Sequence, residues 1–301
     1  MANNPIVTSL PAFVEQNAIG LIANSVLGGR TMKLIQLQTG VKTTAAINLL
    51  NTDVKFGDGK ACGFDAAGSQ TLSQRNIVTG QIKVNMNYCD KALLGTYAQN
   101  EVRIAAGAKV LPFEEEFTNG LVDGIKEALE KAIWMGDTAS DDENLNKFDG
   151  FIKILAAEDA VVKTTGSKSK VYDAIKAGLA KLPARALKED TKVFLGNDLY
   201  LAFIQDMVAA NLYHYSADND GMSFVIPGTK VEVLAIEGLD GAGKMVIARA
   251  SNLYAGVDME GDAEKFELWY SQDNREFRFA SEFNAGVQVA FPDEVVVATL
   301  S

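Results

Sequence analysis

The stretch of this chain with the clearest chemical potential is IEGLDGAGKMVIA, residues Ile236 to Ala248. Gly238, Gly243 and Lys244 stand at the spacing G-x-x-x-x-G-K, that of a loop whose backbone N–H groups wrap nucleotide phosphates. Such a loop needs a setting: a buried strand delivers it, a helix begins at its end, and a Ser or Thr after the lysine binds Mg²⁺. Here Met245 takes the place of that hydroxyl. The residues before the loop, KVEVLAI, and after it, MVIARAS, are both β-branched and alternating. Two strands around a polar, glycine-rich turn predict a β-hairpin, with Lys244 a solvated turn lysine. A nucleotide-binding enzyme using Gly238 to Lys244 is therefore the rival reading, not the leading one.

Other chemistry is sparse. The single histidine, His214, lies in NLYHYSADND just past a helical pattern and reads as a packing or helix-end residue. Cys62 and Cys89 form no C-x-x-C pair, and no histidine or basic cluster near either would activate a thiolate. There is no G-x-S-x-G. Glu114, Glu115 and Glu116 open a helical segment, where negative charge suits the helix dipole better than it suggests a metal site. No catalytic, cofactor-binding or metal-ligating residue is expected, and the chain reads as no enzyme.

Composition bounds the alternatives. The 301 residues are 48% hydrophobic and 22% charged, ordinary for a globular protein with a sizeable core. Asp and Glu number 39 against 28 Lys and Arg, a net charge of −11. That balance argues against sequence readout of nucleic acid and against docking on anionic lipid. Two unpaired cysteines imply a reducing compartment. The N-terminus, MANNPIVTSLPAFVEQNAIGLIANSVLGG, is apolar in places but has no basic flank and is interrupted by Glu15, Asn17 and Asn24. No membrane span or signal peptide is expected.

The elements follow from periodicity. Phe13 to Leu27, between Pro11 and Gly28-Gly29, reads as a helix without a strong apolar stripe, a segment that packs on something other than its own domain. Next comes a strand, TMKLIQLQ, and then a long polar excursion from Thr39 to about Gly80, punctuated by Gly57, Gly59, Gly63 and Gly68. The β-like segments VKTTAAINLL and RNIVTGQIKVNMNY flank it, so a long two-stranded hairpin is expected. A lone hairpin is marginal and needs a partner, as a lid or as an arm on a neighbour.

The clearest helix is FEEEFTNGLVDGIKEALEKAIWMGD. Phe117, Leu121, Ile125, Ala128, Leu129, Ala132 and Ile133 make one buried stripe, with Asp123, Lys126, Glu127, Glu130 and Lys131 opposite. An acidic connector, DTASDDENLNKFDG, lacks the order of a calcium loop. Two shorter helices and a buried strand, TKVFLGN, follow, and then strands to the end. The class is α+β.

In this order the elements resemble the major capsid protein of tailed bacteriophages, the Hong Kong 97-type (HK97-like) fold that encapsulin shells share. The ending IWMGD of the long helix and the closing stretch GVQVAFPDEVVVAT carry most of the likeness. The resemblance implies an N-terminal arm at residues 1–30 and an extended hairpin, the E-loop, at 39–84. It implies a peripheral domain from 31–38, 85–149 and 251–287, with a spine helix at about 114–135. It implies an axial domain from 150–250 and 288–301.

The implied function is structural. The subunit would assemble into hexamers and pentamers of an icosahedral phage capsid around double-stranded DNA, in the host bacterial cytoplasm. An encapsulin-like shell around cargo is the alternative. Implied partners are further copies of the chain, scaffolding, portal and decoration proteins, and non-specific contact with DNA; no cofactor or membrane is implied. Candidate intersubunit residues are Lys55, Phe56, Lys60, Phe64, Glu114, Glu115 and Glu116. Some family members crosslink an E-loop lysine to a neighbour's asparagine with help from a glutamate. Lys55 or Lys60 and Glu282 lie in those regions here, with Asn274 and Asn284 both flanking the asparagine's place; ordinary surface roles are the default for all of them. About 113 residues precede the spine helix, too few for an N-terminal scaffolding domain as well, so separate scaffolding is implied.

Overall fold

The computed structural model describes residues 6–56, 68–106, 112–187, 190–212, 222–258 and 266–301. In chain order the first elements are α1 (Ile6–Leu27), α2 (Arg30–Leu34), β1 (Gln36–Thr39), β2 (Thr44–Asp53), β3 (Ser69–Val78) and β4 (Gly80–Cys89). Then come α3 (Asp90–Ala105), α4 (Phe113–Met135), α5 (Phe151–Ala157), β5 (Val162–Gly166), α6 (Val171–Lys181), β6 (Thr191–Leu195) and α7 (Asn197–Ala209). Strands complete the chain: β7 (Ser223–Val225), β8 (Glu232–Ala235), β9 (Lys244–Arg249), β10 (Leu253–Asp258), β11 (Phe266–Ser271), β12 (Glu276–Val289) and β13 (Val296–Leu300).

Three sheets result. The first is built around β12. Its first half pairs with β11, its second half with β10, and β4 runs antiparallel along Glu276 to Ala285. β1 joins the outside of β10 in parallel. Alternation along β12 turns Phe277, Phe279 and Phe283 toward the core and Glu276, Arg278 and Glu282 outward. The second sheet has six strands in the order β5-β13-β9-β6-β8-β7. Its central strands are apolar on both faces because both are covered. Phe194, Val246 and Leu234 face the core shared with α4, while Val193, Ile247 and Val233 face the core under α6 and α7. The third sheet is β2 and β3 alone.

α4 runs between the two large sheets. Leu121, Val122, Ile125, Leu129, Ala132 and Ile133 are buried as a helical stripe, and Trp134 stacks near Phe151 and Phe194, each with ring centres 5.2 Å away.

Four expectations need correction. α1 is described from Ile6 and continues through Pro11, whose missing N–H forgoes the helical bond to the Val7 carbonyl. It has a stripe at four-residue spacing, Ile6, Leu10, Val14, Ala18, Ile22 and Val26, and this packs on α4 and β11 of the same chain. By length and hydropathy α1 also passes as a membrane span, but in this fold the stripe lies against protein. Glu130, read as solvent-facing, is buried. Finally, β8 and β9 do not form a hairpin: β6 lies between them, parallel to one and antiparallel to the other.

Candidate functional site

With no catalytic motif in the sequence to follow, the functional question falls on surfaces and joints. The hairpin of β2 and β3 carries ten residues per strand in register from Thr44↔Val78 to Asp53↔Ser69. At about 3.3 Å per residue it is roughly 33 Å long. Its root is fixed. Ile47, Leu49 and Ile77 are buried with Ala290, Tyr254 and Phe291. Arg75 pairs with Glu158 and donates to Gln288 Oε1 at 3.2 Å, and Gln288 Nε2 donates to the Asn76 carbonyl at 2.9 Å. β4 leaves the hairpin at Gly80 and joins the first sheet, so the two-stranded excursion ends at Val78 rather than near Val84.

The outer half has no such cover. Leu50 and Leu72 are cross-strand partners and stand 54% and 77% exposed. Val54 and Phe56 follow, Phe56 at 98% exposure. Lys55 lies beside them, 3.9 Å from Asp53. Lys60 and Phe64 lie outside the described residues, as do His214 and Cys62.

A groove of about 510 Å³ runs between β4 and α4, lined by Met86, Tyr88, Phe117, Gly120, Gly124 and Ala128 among others. Gly120, Gly124 and Ala128 lie four apart and leave a trough along the exposed side of the helix. Ala128, expected in the buried stripe, is exposed here. Glu116 stands on the rim and accepts a hydrogen bond from Asn100 Nδ2 at 3.1 Å. Glu114 and Glu115 are half-buried in the first turn of α4.

The G-x-x-x-x-G-K stretch is a structural joint. Glu237 to Leu239 form a single 3₁₀ turn and Lys244 opens β9, so no helix follows the loop. Gly243 has φ +60°, a turn conformation, and Gly238 is pressed onto α4. A Cβ on Gly238 would lie 2.3 Å from the Glu130 carbonyl oxygen and 2.8 Å from Trp134. Asp240 turns its carboxylate to the start of α7, accepting from the Asn197 backbone N–H and, at 2.9 Å, from Asn197 Nδ2. The loop's own acid thus occupies the N-terminus of α7, and the loop offers no phosphate cradle there.

Beside Gly238 sits a buried carboxylate. Glu130 is 4% exposed. Its Oε1 accepts from the Thr31 backbone N–H at 2.9 Å and from the Thr31 hydroxyl, which in turn accepts from Trp134 Nε1 at 2.7 Å. Its Oε2 has no partner among the described residues. Burial pushes the Glu130 carboxyl above the usual carboxylate range, against the lowering effect of the Thr31 bonds and of Arg30. Arg30 donates to the carbonyls of Ala235 and Met222, both at 2.9 Å. This cluster joins α2, α4 and the edge of the second sheet. Nothing in the sequence pattern separated Glu130 from its exposed neighbours except its place beside Ile133 and Trp134.

The candidate crosslinking residues have ordinary partners within the chain. Glu282 pairs with Lys83 at 3.0 Å, Asn284 Nδ2 donates to the Lys42 carbonyl at 3.1 Å, and Asn274 Nδ2 donates to Glu276 at 3.3 Å. Among the described residues no group of three His, Cys, Asp or Glu side chains could hold a metal ion.

No protein-family model matches the sequence, and no curated protein matches it. Solved structures do. A chain of the satellite phage P4 procapsid, a particle that includes the size determination (Sid) protein, superposes with a TM-score of 0.63 at 12% identity, over 94% of this chain and 90% of that one. A capsid chain of the empty GTA particle gives 0.59 at 11% identity, over 92% and 90%. The virus-like particle from Pyrococcus furiosus gives 0.52 at 10% identity, over 94% and 98%. The chain has the Hong Kong 97-type capsid fold. The likeness covers more than nine-tenths of the chain in each case rather than one motif. At these identities what is shared is the architecture, and the expected α+β class holds.

Proposed function

We propose that the protein is the structural subunit of a closed shell, a phage major capsid protein. The carrying observation is the bare outer half of the hairpin on a fold shared with particle-forming chains. A hairpin anchored at its root, with Leu50, Leu72, Val54 and Phe56 exposed at its far end, gains stability only when something else covers it. In a shell that cover is the next subunit. The groove between β4 and α4 supplies an apolar floor, and Glu116 on its rim complements Lys55 beside Phe56. A contact between two different patches is head-to-tail, which generates rings where the rotation closes.

In this reading the Thr44–Val78 hairpin is the E-loop. The first sheet with α4 is the peripheral domain, and the second sheet with α6 and α7 is the axial domain. Hexamers and pentamers of the chain enclose double-stranded DNA in a virion, with scaffolding, portal or decoration proteins as further partners.

The test is electron microscopy of purified protein over a range of concentrations, beside Phe56→Asp. Closed particles or flat hexameric sheets are expected from the wild type. The variant is expected to stay small with unchanged melting temperature, because Phe56 touches almost nothing in its own chain. Assembly of Phe56→Asp equal to that of the wild type would remove the hairpin from the reading, and a wild type that forms no higher species at any concentration or with co-expressed neighbours would remove the shell itself.

A further inference from the structure

α3 leaves a second apolar surface bare. The helix packs on α4 and β4. The residues it turns to them step at four and three. Leu93 and Tyr97 are half-buried, Tyr97 edge-on to Phe113 with ring centres 5.7 Å apart, and Asn100 is buried with its amide on Glu116. Leu94, Ala98 and Val102 step at four on another face, about a third of a turn round the helix. All three are exposed, Leu94 at 38% and Val102 at 68%. Gly95 lies beside them, with open space where a Cβ would stand. The single chain makes little use of this stripe, and covering it would take apolar surface out of water.

The charges beside the stripe select the occupant. Lys91 flanks its N-terminal end and Glu101 its C-terminal end, both exposed. Let a second copy lie antiparallel across the first, crossing at Ala98. Leu94 of each then meets Val102 of the other, and Ala98 meets Ala98. Lys91 of one and Glu101 of the other fall about 6 Å apart along the helix axis, a gap that a lysine side chain spans. A parallel arrangement would set lysine on lysine and glutamate on glutamate, which is repulsive. Antiparallel helices also bring opposite dipole ends together. Gly95 and Ala98 at the crossing are small enough for close approach. We propose that α3 forms a two-fold contact with α3 of a second copy, antiparallel and crossing at Ala98. The need for this contact rests on the shell reading. Hairpin-to-groove docking uses up both of its patches within a ring, so joining rings requires a different contact, and a self-complementary patch is the simplest.

The test is disulfide trapping in the full chain. Ala98→Cys is placed in a background of Cys62→Ser and Cys89→Ser, with Gln99→Cys, about 100° round the helix, as its control. A two-fold axis at position 98 brings the two thiols within bonding distance. Mild oxidation is expected to give a dimer on a non-reducing gel at least tenfold faster than from Gln99→Cys. Lys91→Glu and Glu101→Lys should each slow trapping at least threefold, and the two together should restore it. Trapping no faster at position 98 than at position 99, or no recovery in the double reversal, would overturn the proposal. The shell reading fails separately. Val102→Asp should still form rings through the hairpin but no closed particles, and closed particles from it would remove α3 from the contact. Phe56→Asp should lose the rings and keep the trapped dimer. A wild type that forms no rings while position 98 still traps would remove the shell and uphold the α3 contact. Lys91, Ala98, Gln99, Glu101 and Val102 are all exposed, so these variants are expected to keep the wild-type circular dichroism.

Discussion

Thr31→Val tests the joint between α2 and α4. Valine nearly matches threonine in volume, so the packing stays while the hydroxyl goes. Two buried groups then lose a partner. Trp134 Nε1, now 2.7 Å from the hydroxyl, is left with no acceptor. Leaving such a donor buried and unpaired costs about 1–3 kcal/mol. Glu130 Oε1 keeps the Thr31 backbone N–H at 2.9 Å but loses the hydroxyl, a bond to a charged group of about 1.5–3 kcal/mol. The sum is about 2.5–6 kcal/mol, a large fraction of the stability of an ordinary domain. Urea unfolding followed by far-ultraviolet circular dichroism measures it. The double variant Thr31→Val, Trp134→Phe separates the parts: with no indole N–H to orphan, it should cost about 1–3 kcal/mol less than the sum of the single variants. A Thr31→Val loss under about 0.5 kcal/mol, or strict additivity in the cycle, would refute the account.

Three further outcomes are expected. Glu130 has a raised folded-state pKa, so its ionisation opposes folding. The stability it confers is fully present below the ordinary carboxylate pKa and is lost as pH rises through the elevated value. Glu130→Gln should therefore gain stability relative to the wild type between acid and alkaline pH, and a pH-independent difference would contradict this. Gly238→Ala should destabilise by about 1–3 kcal/mol or more, because its Cβ meets the Glu130 carbonyl, while Lys244→Ala should stay within about 0.5 kcal/mol; thermal melts decide. Leu10→Ala should cost about 2–5 kcal/mol by the same melts, since Leu10 is fully buried between α1 and its own domain, whereas an arm folded only on a neighbour would leave the isolated subunit unchanged.

How far the sequence could be read depended on whether a signal was local. α4 was legible because its apolar stripe, acidic first turn and glycine stop all lie within one segment. The hairpin was legible from β-like flanks around a glycine-rich polar stretch, although its true end at Val78 was hidden: β4 continues the same texture into another sheet. Glu130 was illegible because α4 touches two layers. A helix packed on two sheets buries a wider arc than one stripe, and a polar residue inside that arc looks like its exposed neighbours. β8 and β9 looked like a hairpin because they are consecutive, and nothing local reveals that β6, some forty residues earlier, is inserted between them. α1 was misread for the weight given to Pro11, although Ile6, Leu10 and Val14 already step at four. The groove beside α4 shows in sequence only as Gly120, Gly124 and Ala128 where larger residues would close it.

The placement of β12 and β13 bears on how the chain is made. β12 is the strand on which β4, β10 and β11 all depend, and β13 sits between β5 and β9 in the other sheet. Both large sheets are therefore completed by residues 276–300, which are synthesised after every strand they pair with. The β4–β12 and β5–β13 pairings join strands far apart in sequence, a topology that slows folding. A ribosome stalled before residue 276 releases a polypeptide that can finish neither sheet and cannot root the hairpin, whose base rests on Ala290, Phe291 and Gln288. A chain cut short there lacks the footing that any assembly using the hairpin would need.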